Sequence, residues 1–356
     1  MVDLFTYVSL LYHGFHFHRV ALKRFFTVFP FRPQTLLTTK RSPVTRLPYW
    51  HREHTSKTKL PILFIHGIGI GLFPYVDFLA DLNSAAGIED GLPDDQVGII
   101  AIEILPISFR ITHPAMSKSA LTAEIAAILA HHGWDKVVLV SHSYGTVIAT
   151  HLLKSPSTAH LIGPVVLIDP VCILLHLPDV AYNFTRRKPR RANEHQLYYF
   201  ASMDMGVSHT LSRHFFWSEN ILWKEDLDGR NVTVSLSGKD LIVDTESVGK
   251  YMTSGSTPWI SSTASSAFLI DVEDVPEERT NGKGVNIHTS ILDSESDPET
   301  NLQIDAWKEQ PWKGKGIDMI WFEDLDHAQV FDKAATRRPL LTAIRRYCAE
   351  GADENH

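Results

Sequence analysis

From residue 61 onward the chain alternates short apolar runs with longer helix-favouring stretches. Pro61-Ile62-Leu63-Phe64-Ile65, Val97-Gly98-Ile99-Ile100-Ala101-Ile102, Lys136-Val137-Val138-Leu139-Val140 and Pro164-Val165-Val166-Leu167-Ile168 lack the polar alternate positions of a half-solvated strand. An apolar run of this length suits a parallel strand covered by helices on both faces. Between these runs Tyr75 to Leu82, Ser117 to His132 and Thr146 to Leu153 read as helices, and Gly133 is a stop for the second. Val232-Thr233-Val234-Ser235-Leu236 and Asp318-Met319-Ile320-Trp321-Phe322 resume the strand rhythm, and Ala334 to Cys348 closes the chain as an amphipathic helix. The pattern predicts an α/β fold, a mostly parallel central sheet with right-handed crossovers and flanking helices.

The alternation also marks where it fails, which divides the chain. Residues 1–60 form an N-terminal extension of an apolar helix and first strands, followed by core at 61–170. Residues 171–230 carry no clean strand signal and hold Tyr198, Tyr199, Phe200, Phe215, Phe216, Trp217 and Trp223, as in a cap or lid. Core resumes at 231–252. Residues 253–316, rich in Ser, Thr, Asp, Glu, Gly and Pro, read as a polar, partly disordered insertion with little to add to the core. Residues 317–356 return to the core.

Within the extension, Leu4, Phe5, Val8, Leu11, Tyr12 and Phe15 follow the spacing of one helix face across Met1 to Leu22. His13, His16, His18 and Arg19 interrupt the stretch before the ~18 apolar residues of a spanning helix, and the basic start and cleavage site of a secretory signal are missing. Two readings remain: a helix packed on the body or entrance of the protein, or an in-plane anchor through residues 1–30 with Lys23 and Arg24 near lipid head groups. On a helix, His13, His16 and His18 do not share a face, so no metal site is expected. Arg186-Arg187-Lys188-Pro189-Arg190-Arg191 is a solvated loop or a second contact for anionic lipid.

Composition adds limits. The chain has 356 residues, 44% hydrophobic, with a formal net charge of −7, which gives no reason to expect a nucleic-acid partner. Cys172 and Cys348 alone allow neither a disulfide framework nor a zinc-cysteine spacing. A reducing location, cytoplasmic or on the periphery of an internal membrane, is expected. The glycosylation patterns at Asn183 and Asn231 carry little weight, since short matches arise by chance.

The candidate chemistry lies at strand ends. Ser143, in Ser141-His142-Ser143-Tyr144-Gly145, sits between an apolar strand and a helix, where a sharp turn can present a hydroxyl nucleophile. Ser141 stands where the usual G-x-S-x-G has its first glycine. His66-Gly67-Ile68-Gly69-Ile70-Gly71 follows the first clear strand. Its glycine spacing, and the missing acidic residue about 20 positions later, argue against a dinucleotide site. A loop delivering backbone N–H groups to an oxyanion fits better: Ile68 with Tyr144, and Gly67 beside them.

These motifs, with Ser237-Gly238-Lys239-Asp240 and Asp326-His327 after later strands, resemble the α/β-hydrolase superfamily in its capped serine-hydrolase form. The order nucleophile, acid, histidine is the family's, and the likeness covers most of 61–350. It implies an eight-stranded sheet, a mainly helical cap inserted after strand 6, and a triad of Ser143, Asp240 and His327. Asp169, closing Ile168-Asp169-Pro170, is the alternative acid, with Asp244 behind it. The expected activity is carboxylesterase- or lipase-like cleavage of an ester, or related acyl bond, of a small hydrophobic acyl substrate through an acyl-enzyme. No metal or organic cofactor is expected. An acyltransferase, lyase or cyclase on the same fold, or a non-catalytic binding protein, is the rival reading.

Overall fold

A computed structural model describes residues 2–82, 95–254 and 306–350. Its strands are β1 His16–His18, β2 Tyr49–Arg52, β3 Ile62–Ile65, β4 Ile99–Ile102, β5 Val137–His142, β6 Ile162–Ile168, β7 Val232–Ser237 and β8 Ile317–Phe322. They form one sheet in the order β1-β2-β4-β3-β5-β6-β7-β8. β2 runs antiparallel to both β1 and β4, and the remaining pairs are parallel. The mostly parallel, helix-flanked sheet expected from the apolar runs is therefore present.

The helices are α1 Val2–Tyr12, α2 Gln34–Leu37, α3 Val76–Asp81, α4 Lys118–His131, α5 Gly145–Lys154, α6 Pro178–Thr185, α7 Ala192–Leu197, α8 Met205–Arg213, α9 Trp217–Asn220, α10 Thr245–Thr253 and α11 Ala334–Glu350. Two apolar cores result. Ile125, Ile128, Ile148 and Met252 of α4, α5 and α10 pack with Leu63, Leu139 and Val234. Leu10, Phe78, Leu340 and Ile344 of α1, α3 and α11 pack with Phe64, Val140 and Val166. Successive strand residues point to opposite faces, so every position of β3 is covered. α4 starts at Ser117, whose hydroxyl accepts from the N–H of Ala120, and stops at Gly133, with φ of +69°.

Two expectations are revised. The N-terminal helix ends at Tyr12, and Gly14, with φ of +80°, turns the chain into β1. Phe15 and Phe17 are fully buried there, so this part of the segment packs on the body of the protein. The end of the polar stretch, 306–316, is also not all surface. Trp307 is buried edge-on to Trp321 and fills space a Cβ at Gly249 would occupy, 2.2 Å away. The rest of that stretch, at 255–305, lies outside the described residues, as does 83–94.

The chain between β6 and β7 folds into α6–α9. It is tied to the loops after β7 and β8: Asn183 Nδ2 donates to the carbonyl of Ile242 at 3.1 Å, Arg187 to that of Leu241 at 2.6 Å, and Asn193 Nδ2 to Asp326 Oδ2 at 2.9 Å. One residue of the basic run, Arg187, thus has a structural partner. Cys172 and Cys348 are free and buried.

Candidate active site

The turn after β5 holds Ser143 at φ of +51°, a left-handed conformation that a residue with a side chain rarely adopts. Close approach on both sides makes the turn possible. A Cβ on Gly145 would lie 2.3 Å from the carbonyl oxygen of Ile65, so this position has room for glycine only. A Cβ on Gly67 would lie 2.8 Å from Ser143 Cβ. Ser141, where the motif usually has glycine, is fully buried and fits. Two more left-handed residues stand nearby, Asp169 at +43° and Ala328 at +68°. Strain of this kind clusters where surrounding structure fixes functional side chains.

The structure brings Ser143, His327 and Asp240 together. His327 Nε2 lies 2.8 Å from Ser143 Oγ, and its Nδ1 lies 2.7 Å from Asp240 Oδ2. Asp240 Oδ1 accepts from the N–H groups of Ile242 and Val243, at 2.7 and 2.9 Å. The carboxylate is therefore fixed by backbone on one oxygen while the other faces the imidazole. Burial alone would lower the His327 pKa. The Asp240 charge and hydrogen bond, with Asp169 and Asp326 behind them, hold it well above the ordinary imidazole value.

Asp169 is close by but bonded differently. Its Oδ2 accepts from the N–H of Ala328 at 2.9 Å, and lies 3.8 Å from His142 Nε2. Burial raises its pKa to about 6. Asp244 caps α10, accepting from the N–H of Ser247 at 3.1 Å. Of the three candidate acids, Asp240 is the one hydrogen-bonded to His327.

The loop after β3 is held from below. His66 Nδ1 donates to the carbonyl of Gly67 at 2.7 Å, while its Nε2 accepts from the N–H of Ile104 at 3.0 Å. Tyr75 Oη accepts from the N–H of Gly67 at 3.1 Å and lies 2.8 Å from His142 Nδ1. Gly67 thus has its N–H engaged and is not free to serve an oxyanion, which revises that expectation. Its need for glycine comes from crowding against Ser143. Among the described residues no hydrogen bond engages the N–H of Ile68 or of Tyr144.

Three contributors had no assigned part in the sequence reading. Asp326 Oδ1 accepts from the N–H groups of His327 at 2.7 Å and Leu241 at 3.0 Å, joining the histidine loop to the acid loop. Tyr75 and His142 anchor the turn from beneath. Asp326 stands next to His327 in sequence, a signal that adjacency alone does not decode; Tyr75 lay inside a predicted helix.

Tyr144, the residue after the nucleophile, lies in the wall of a cavity of about 240 Å³. Its wall includes Leu105, Ile107, Met116, Ile148 and Phe216, with Arg46 and His113 among the polar contributors. Ser143 is 6% exposed and lies beside the cavity rather than in its lining.

A strand order of this kind, with a serine on a strained turn after β5, defines an α/β-hydrolase fold. The chain belongs to the alpha/beta hydrolase family, whose model matches residues 62–335. Among solved structures it is similar to a membrane phospholipase A described as a bacterial virulence factor, at 12% identity and a TM-score of 0.50, with 100% of this chain and 92% of that one covered. It is similar also to a candidate lipase from Acinetobacter baumannii AYE, at 10% identity and a TM-score of 0.50, covering 100% and 98%. Likeness at this identity shows the fold alone. A search of curated proteins found no match.

Proposed function

We propose that the protein is a serine hydrolase that cleaves an ester, or a related acyl bond, of a hydrophobic substrate. The observation that carries this reading is the unbroken relay of Ser143 Oγ, the His327 ring and the Asp240 carboxylate, at 2.8 and 2.7 Å. A serine hydroxyl becomes a competent nucleophile when a base accepts its proton, and the base works when a carboxylate fixes its tautomer. Ser143 attacks the acyl carbonyl while His327 Nε2 takes the proton. The oxyanion is held by the N–H groups of Ile68 and Tyr144. His327 returns the proton to the leaving group, and water then repeats the sequence to release the acid.

The cavity beside Tyr144 supports an apolar acyl or alcohol group. At about 240 Å³ it is below the ~300–1,000 Å³ usual for drug-sized ligands, which favours a short or medium group. The segment α6–α9 between β6 and β7 serves as the cap. A series of p-nitrophenyl esters of increasing chain length tests this reading. Free acid should appear for short and medium chains and vanish in Ser143→Ala. Acyl transfer to an added alcohol, with no free acid, would point to the rival acyltransferase chemistry.

We also propose that the N-terminal region rests on a membrane surface. The supporting observation is a set of exposed apolar side chains, Phe5 and Val8 on α1 with Phe26, Phe29 and Leu37 beyond it, near Lys23 and Arg24. Among the described residues no helix is long and apolar enough to cross a membrane. Flotation with vesicles containing anionic phospholipid should carry the protein upward, and Phe26→Asp with Leu37→Asp should leave it behind.

A further inference from the structure

The opposite edge of the sheet holds a second histidine cluster that the proposed chemistry does not use. The antiparallel register sets His18 of β1 opposite Tyr49 of β2, and His16 opposite His51. Side chains two residues apart share a sheet face, so His18, Tyr49 and His51 point the same way, while Phe17 and Trp50 enter the core on the other side. α4 delivers His132, its C-terminal capping residue, to that same face. One ring nitrogen from each of His18, His51 and His132 lies within 4.8 Å of the other two.

The hydrogen bonds within the cluster centre on Tyr49. Tyr49 Oη lies 3.0 Å from His18 Nδ1 and 2.9 Å from His132 Nε2, which accounts for those two nitrogens. His18 Nε2 is buried, in a side chain only 6% exposed, and the backbone of Arg41 lies within reach of the ring. Among the described residues the cluster contains three imidazole donors with no carboxylate and no thiolate. It also sits at the C-terminal end of α4, where the unpaired carbonyls favour positive charge.

We propose that His18, His51 and His132 bind one divalent transition-metal ion of the zinc class, with water completing the set, and that the ion clamps the β1–β2 edge to the end of α4. His18 coordinates through Nε2 and keeps its Nδ1 hydrogen bond with Tyr49, the outer-shell arrangement usual for a ligating histidine. An all-imidazole set suits Zn²⁺, Cu²⁺ or Ni²⁺ and disfavours Ca²⁺ and Mg²⁺, which take oxygen ligands. Tetrahedral zinc with nitrogen at ~2.0–2.1 Å sets donors about 3.4 Å apart. Donors that lie within 4.8 Å must close by up to about 1.4 Å, and His132 must turn out of its stack on His51, at 3.9 Å between ring centroids, a movement open to its partly exposed side chain. Burial already keeps the three rings neutral at physiological pH, with pKa values lowered to about 4 for His18, 3 for His51 and 4 for His132, so each ring has one lone pair, and His132 gives up its Tyr49 contact to coordinate. Lys40, whose charge reaches all three rings, opposes the ion.

The test uses the full chain, stripped with EDTA and titrated with Zn²⁺ against a chromophoric chelator. One tight equivalent is expected, with a rise in thermal midpoint on adding Zn²⁺. His132→Gln and His51→Gln should each lose that equivalent and the rise, at least tenfold in apparent affinity, while Lys40→Gln should bind more tightly. His132 sits at a helix end, so His132→Gln preserves the fold even if His51→Gln does not; cooperative thermal unfolding checks this. Absence of a tight equivalent in the wild type, or its retention in a cooperatively folded His132→Gln, overturns the proposal and leaves the trio as stacked neutral rings.

Discussion

Two histidine sites stand at opposite reaches of one sheet, both partly buried, and they titrate in opposite directions. His327 faces Asp240 at 2.7 Å with Asp169 and Asp326 close by, and is held above the ordinary imidazole value. His18, His51 and His132 face a tyrosine hydroxyl, one another and the charge of Lys40, and are pushed down to between about 3 and 4. Burial works against the charged form at both sites. The difference is the partner. A fixed carboxylate stabilises an imidazolium and makes a proton acceptor; neighbouring imidazoles destabilise it and leave neutral ligands.

The largest expected effect comes from removing the hydroxyl that the carboxylate-backed histidine serves. Ser143→Ala should lower ester turnover by about 10⁴–10⁶-fold with the thermal midpoint little changed. Asp240→Asn should cost about 10⁴-fold, because Nδ1 then loses its charged acceptor and the tautomer is no longer controlled. Asp169→Asn should be far milder, since its oxygen bonds the Ala328 N–H rather than the ring. Equal losses in the two variants would undo the assignment of the acid.

Gly67→Ala places a methyl group 2.8 Å from Ser143 Cβ, and the resulting misplacement of the nucleophile should cost on the order of 10²-fold in kcat. A smaller but more diagnostic effect concerns pH. His327 accepts a proton only when neutral, so activity falls as pH drops through its pKa. Because that pKa is raised, the acid limb of kcat/KM should lie above 6.5 in the wild type. Asp169→Asn removes one of the charges that raise it and should move the limb downward while most activity remains. An unshifted limb would mean that the Asp169 charge is not felt at the ring.

Most of the sheet was legible because buried parallel strands spell themselves as uninterrupted apolar runs, as at Ile62–Ile65 and Val165–Ile168. The nucleophile turn was legible because Gly145 must be glycine against the Ile65 carbonyl. The N-terminal helix was overextended. Phe15 fits a helical spacing after Leu11, yet Gly14 breaks the helix and Phe15 enters the core from the approach to β1. Reading His16 and His18 as helical hid the shared strand face that joins His18 to His51. His132 lies more than a hundred residues from His18, and no spacing rule links them. The engaged N–H of Gly67 was hidden for a similar reason, since only the folded chain brings Tyr75 to it.

The most direct test of the account is covalent labelling. Folded protein treated with a fluorophosphonate should carry one adduct, located by peptide mass spectrometry on Ser143, and His327→Ala should react far more slowly. Folded wild-type protein that stays unlabelled at Ser143, together with ester hydrolysis that persists in Ser143→Ala, would contradict the proposed catalytic site.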